Sequence, residues 1–137
     1  MTLIVMTISI TAFESKAQNC DNCIDKICKS YDATAAELKA TTSMEQLLNI
    51  DFVTQLAQAT NGFDEKCHSY KLTKADKNKL IKSFDGVINT LIDKANEFSD
   101  GMAGAMIKPQ VEPLIKDYHD SVNGVTTLGE YIFYINN

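Results

Sequence analysis

The sequence predicts an all-α fold, a small helical bundle of about four to five helices pinned by disulfides. Three observations carry that expectation. Breakers are scarce, with two prolines and six glycines in 137 residues. Apolar residues recur at steps of three and four over most of the chain, the period of a helix with one buried side. Four cysteines in so short a chain suit a disulfide-supported core.

The strongest helical signal runs from Thr73 to Gly101. Leu80, Ile81, Phe84, Val87, Ile88, Leu91, Ile92, Ala95 and Phe98 trace one stripe, while Lys82, Asp85, Asn89, Asp93, Asn96 and Glu97 fall opposite. Thr73 and Asp76 supply an N-cap with a carboxylate in the first turn, and Asp100-Gly101 supplies a left-handed stop. At about 1.5 Å per residue such a rod is roughly 40 Å long. Its apolar face requires partner helices.

The N-terminal stretch reads as an export signal. Leu3 to Phe13 is apolar apart from Thr7, Ser9 and Thr11, and Ser15 and Ala17 occupy the small-residue positions of a cleavage site. Cleavage after Ala17 leaves residues 18–137 as a single helical domain in the periplasm or outside the cell. Met1-Thr2 lacks the usual basic region, which a start codon further upstream would supply. Two other readings stand beside this one, a buried N-terminal element and a lipoprotein anchored at Cys20. The apolar run is too short for a comfortable membrane span, and none is expected in the mature chain.

Cys20, Cys23, Ile24, Ile27, Cys28, Tyr31, Ala35 and Leu38 form the next stripe. Cys20, Cys23, Cys28 and Cys67 are the disulfide candidates, and helix geometry chooses among their pairings. Cys20 and Cys28 are separated by roughly 12 Å of helix rise. Cys23 and Cys28 are separated by roughly 7.5 Å and point about 140° apart. Bridged Cα atoms lie within about 7 Å. A helix continuous from residue 20 therefore selects Cys20–Cys23 with Cys28–Cys67. A helix beginning after Cys23 reopens the choice. The Cys28–Cys67 loop would contribute roughly 3–4 kcal/mol by chain entropy. Two sharper readings compete with structural bridges. One is a redox-active Cys20-x-x-Cys23, and the other is a metal site drawn from Cys20, Cys23, Cys28, Cys67 and His68.

Thr42 with Glu45, or Ser43 with Gln46, caps a helix whose stripe is Met44, Leu47, Leu48, Phe52, Val53, Leu56 and Ala59, with Asn61-Gly62 as its stop. Residues 63–72 form a connector that crosses back to the first helix. Past Gly101, residues 102–106 read as a small-residue turn. The main helix there is expected to start near Pro109 or Pro113, with Val111, Leu114, Ile115, Tyr118 and Val122 buried. Thr126-Thr127-Leu128-Gly129-Glu130 repeats the capping frame before Tyr131-Ile132-Phe133-Tyr134-Ile135, which reads as a last helix with a terminal strand as its rival.

Composition narrows the function classes. Net charge is −5, and every one of the thirteen basic residues is lysine. Without arginine the chain lacks the planar fork used for phosphates and base edges, so nucleic acid is not an expected partner. Lys66, Lys71, Lys74, Lys77, Lys79 and Lys82 crowd one region and form a candidate patch for an anionic partner, although a solvated face diluted by Asp64, Glu65 and Asp76 is the preferred reading. His68, His119, Asp117 and Asp120 stand in no recognisable catalytic frame, and no phosphate loop or cofactor motif appears. The expectation is a non-catalytic binding or structural protein, without a cofactor, whose partner is a protein or envelope component. Its rival is a thiol-disulfide or metal-handling protein using Cys20, Cys23 and Cys28.

Overall fold

The computed structural model describes Cys20 and residues 22–137; the expected export segment, 1–17, lies outside the described residues. Among the described residues six α-helices follow one another: α1 (Asn22–Lys39), α2 (Met44–Leu48), α3 (Phe52–Gln58), α4 (Lys74–Ser99), α5 (Met102–Gly124) and α6 (Leu128–Asn136). A 3-10 helix, Glu65–Ser69, lies between α3 and α4. Among the described residues there is no strand, only an isolated bridge between Lys71 and Thr127. No helix among them is long and apolar enough to cross a membrane.

Helix α4 is the axis. Thr73 Oγ1 accepts the Asp76 N–H, and Asp76 Oδ2 accepts the Thr73 N–H in return, a closed capping box. The buried Asp76 carboxylate also takes the Tyr70 hydroxyl proton at 2.8 Å, which ties the connector to the helix start. Asp100 and Gly101 both adopt left-handed backbone at the other end, with φ of 53° and 88°. Between these stops Leu80, Phe84, Val87, Ile88 and Ala95 are buried, as their spacing predicts.

Helix α5 turns back along α4 as an antiparallel partner. Lys77 meets the Asn123 carbonyl, Asp85 meets His119, and Gly104 sits against the Asn96 side chain. Helix α1 lies parallel on the other flank, where Asp25 pairs with Lys79 and Cys28 shares a hydrogen bond with Ser83. Helix α3 is fastened to α1 by the Thr34 hydroxyl, which donates to Gln55 at 2.8 Å.

Helix α5 differs from the expected turn followed by a late start. It runs unbroken from Met102 with Pro109 and Pro113 inside it. Each proline removes one helical N–H. Both prolines and Ala105 are exposed, so the orphaned carbonyls at 105 and 109 lie on the solvent side, where water satisfies them. Packing of Val111, Tyr118 and Val122 on the other side holds the helix together.

The expected single helix after Thr41 is instead two short ones. Ser43 caps α2 through the Gln46 N–H, so the second of the two capping frames is used. Asp51 then restarts the chain, accepting both the Thr54 N–H and the Thr54 hydroxyl. That local cap competes successfully with helix continuation. The break leaves Leu48 and Val53 exposed rather than in a buried stripe.

The C-terminal segment is helical. Thr127 Oγ1 accepts the Glu130 N–H, and the Glu130 carboxylate reaches back to the Thr126 N–H. Leu128 and Tyr131 enter the core.

Candidate functional site

The cysteines are arranged differently from the geometric expectation. Cys67 is bridged to Cys20, with Cα atoms 5.2 Å apart, and is not joined to Cys28. The Cys20–Cys23 pairing is likewise not formed. The reason is where α1 begins. Cys20 occupies a 3-10 turn ahead of Asn22, so it is not held on the helical cylinder and faces the connector. Cys23 is buried in the core, and Cys28 is a half-buried thiol directed at Ser83. Burial pushes the Cys28 thiol above its ordinary range, against the lowering effect of the Ser83 hydrogen bond.

His68 is exposed on the 3-10 helix. Among the described residues no group of three or more His, Cys, Asp or Glu side chains is arranged to hold a metal. The candidate lysines are divided: Lys77 donates to the Asn123 carbonyl and Lys79 pairs with Asp25, while Lys66, Lys71, Lys74 and Lys82 are exposed. His119 bridges helices, its Nε2 lying 2.8 and 3.0 Å from the two Asp85 carboxylate oxygens.

Two features emerge that the linear pattern did not reveal. The first is a chain of buried phenols. Tyr31 and Tyr131 hydroxyls are 2.7 Å apart, Tyr131 and Tyr118 hydroxyls 2.8 Å, and Tyr118 donates to the Leu80 carbonyl at 3.2 Å. Each phenol has one proton, which fixes the direction. Tyr118 gives its proton to Leu80, so Tyr131 donates to Tyr118 and Tyr31 donates to Tyr131. All three are essentially inaccessible. Burial drives the three phenols well above their ordinary range. The chain is fully satisfied and locks α1, α5 and α6 together.

The second is a cleft of about 330 Å³ between α3, α4, α5 and α6. Phe52, Val53 and Leu56 form one wall, and Leu114, Tyr118, Tyr134 and Ile135 form the other, with Phe84 in the floor. Phe84 stacks flat on Tyr118, ring centroids 3.7 Å apart, so the floor is also the outer surface of the phenol chain. Tyr134 donates its hydroxyl proton to Asp117 Oδ2 at 2.9 Å on the rim. Burial raises the Tyr134 phenol, and Asp117 reinforces the rise. Asp117 is the one charged side chain on the lining. The volume falls in the range of small-molecule sites, which are mostly apolar with few polar groups.

The described residues lining the cleft offer binding chemistry: apolar walls, aromatic rings, the Asp117 carboxylate and the polar Asn137. In sequence its residues look like pieces of three buried stripes and one solvated charge. Their convergence depends on how α3 and α6 lean across the α4–α5 pair, which no local spacing records.

Fold and site define a disulfide-pinned helical bundle with an apolar cleft. Comparison with family models, with curated proteins and with solved structures finds no match.

Proposed function

We propose that the protein is a small exported binding module of the cell envelope or exterior, without a reaction of its own, that takes an apolar small molecule into the α3–α6 cleft. The observation that carries this reading is the pair of lips. Val53 and Leu114 remain 62% and 43% exposed beside an aromatic floor, so the fold leaves them available to a ligand. Burying them on an occupant is favourable at roughly 25 cal/mol per Å² of apolar surface. Export is supported by the Leu3–Phe13 run with its small-residue cleavage site, and by a disulfide, which persists in oxidising compartments.

Amide-resolved NMR titration of the mature chain with 1-octanol tests the reading. Shifts should concentrate on residues 52–56, 114–118 and 134–135, and saturate. Leu114→Asp, a change at a partly exposed position, should abolish them while leaving the spectrum of a folded protein. Absence of saturable shifts, or shifts scattered over the surface, would overturn it.

A further inference from the structure

We infer that the cleft selects apolar molecules bearing a primary ammonium group, with Asp117 as the specificity determinant. The inference rests on the binding reading above and adds the ligand class. Asp117 has the setting of a recognition carboxylate. Its Oδ2 accepts the Tyr134 hydroxyl at 2.9 Å, which holds the carboxylate at the rim and engages one of its two oxygens. The neighbouring lysine makes its direct ion pair elsewhere: Lys116 meets Asp120 at 2.9 Å, one helical turn further on, and attracts Asp117 only at longer range. Among the described residues Asp117 has no ion-pair partner, and no cation lies on the cleft walls.

The walls favour the same ligand. Phe52, Phe84, Tyr118 and Tyr134 place four aromatic rings around the cleft. Phe84 and Tyr118 cover each other's faces in their stack, so the partly exposed rings of Phe52 and Tyr134 are the ones whose negative faces can attract an ammonium group, while the apolar lining accepts the attached hydrocarbon. An anionic amphiphile would meet the Asp117 charge without compensation. A neutral one would gain no ion pair from it. The chain's net charge of −5 further enriches cations near its surface.

Three probes sharing one hydrocarbon tail separate this inference from the reading it rests on. Octylammonium, 1-octanol and octanoate are titrated against the mature chain and against Asp117→Asn, which keeps an oxygen for Tyr134 and removes the charge. Octylammonium should bind about five-fold more tightly than 1-octanol, the scale of a partly exposed ion pair. Octanoate should bind most weakly. The octylammonium advantage, read as the ratio of octylammonium to 1-octanol affinity within the same variant, should disappear in Asp117→Asn. Equal affinity for octylammonium and 1-octanol overturns the ammonium inference and leaves the apolar cleft standing. An advantage that survives in Asp117→Asn overturns the role of Asp117. Failure of all three probes to saturate overturns the cleft reading, and the inference with it.

Discussion

The hydroxyls of Tyr31 and Tyr131, one hundred residues apart in sequence, meet at 2.7 Å inside the core. Through Tyr118 they connect α1, α5 and α6 to the backbone of α4 at Leu80. The proton order along this chain, from Tyr31 to Tyr131 to Tyr118 to the Leu80 carbonyl, makes its members unequal.

Tyr131→Phe should therefore destabilise more than Tyr31→Phe. Removing the Tyr131 oxygen leaves the Tyr31 O–H buried without an acceptor, at about 1–3 kcal/mol. Removing the Tyr31 hydroxyl deletes a donor and strands no proton, at about 0.5–1.5 kcal/mol. Urea denaturation of both variants gives the comparison. The opposite ranking would mean that the chain runs the other way.

Alkaline stability follows from the same phenols. Their folded-state proton affinity is raised above the ordinary value of 10.0, chiefly by burial. The unfolded chain therefore releases protons first as pH rises. The contribution is complete below pH 10 and is lost progressively above it. The urea midpoint should fall above about pH 10, and phenolate absorbance from these three residues should appear only on unfolding. A midpoint flat through this range would show that the phenols titrate as if exposed.

Two glycines should respond to alanine with opposite signs. A Cβ at Gly129 would lie 2.9 Å from the His68 carbonyl oxygen and 3.0 Å from His68 Cβ, and that backbone is held by the neighbouring disulfide at Cys67. Gly129→Ala should cost about 1–3 kcal/mol. Gly86, inside α4, has nothing within 4 Å of an added Cβ. Gly86→Ala should stabilise by about 0.5–1 kcal/mol through helix propensity. Thermal melts of the two variants displaced in the same direction would contradict the packing described at one of them.

The disulfide prediction concerns identity as well as energy. Proteolysis under non-reducing conditions should release a peptide linking Cys20 to Cys67, and a Cys28–Cys67 peptide would reverse the assignment. With its ends separated by 47 positions in sequence, the bridge should contribute about 4 kcal/mol by chain entropy. Cys67→Ser should lower the urea midpoint by a corresponding amount without changing the helical circular dichroism of the folded state.

Much of the architecture is local and was therefore readable from the chain. The Thr73–Asp76 box, the Asp100-Gly101 stop, the Ser43 cap and the Thr127 cap each depend on residues within one turn of one another. The buried stripe of α4 depends only on period. Where local signals competed, the linear reading failed in identifiable places. Pro109 and Pro113 promised a late helix start, yet tertiary packing of Val111 and Tyr118 outweighed two lost hydrogen bonds on a solvated face. The apolar spacing through Leu48 and Val53 promised one helix, yet Asp51 broke it in two.

By itself, then, the sequence determined that this is an all-α chain, where most of its helices begin and end, and which side of α4 is buried. Only the tertiary structure decided that Cys67 takes Cys20, that three phenols share one proton chain, and that Asp117 stands beside an apolar cleft. The physical reason is range. Caps and periodicity are settled by interactions across three or four residues, whereas these three juxtapositions are set by the angles at which whole helices cross.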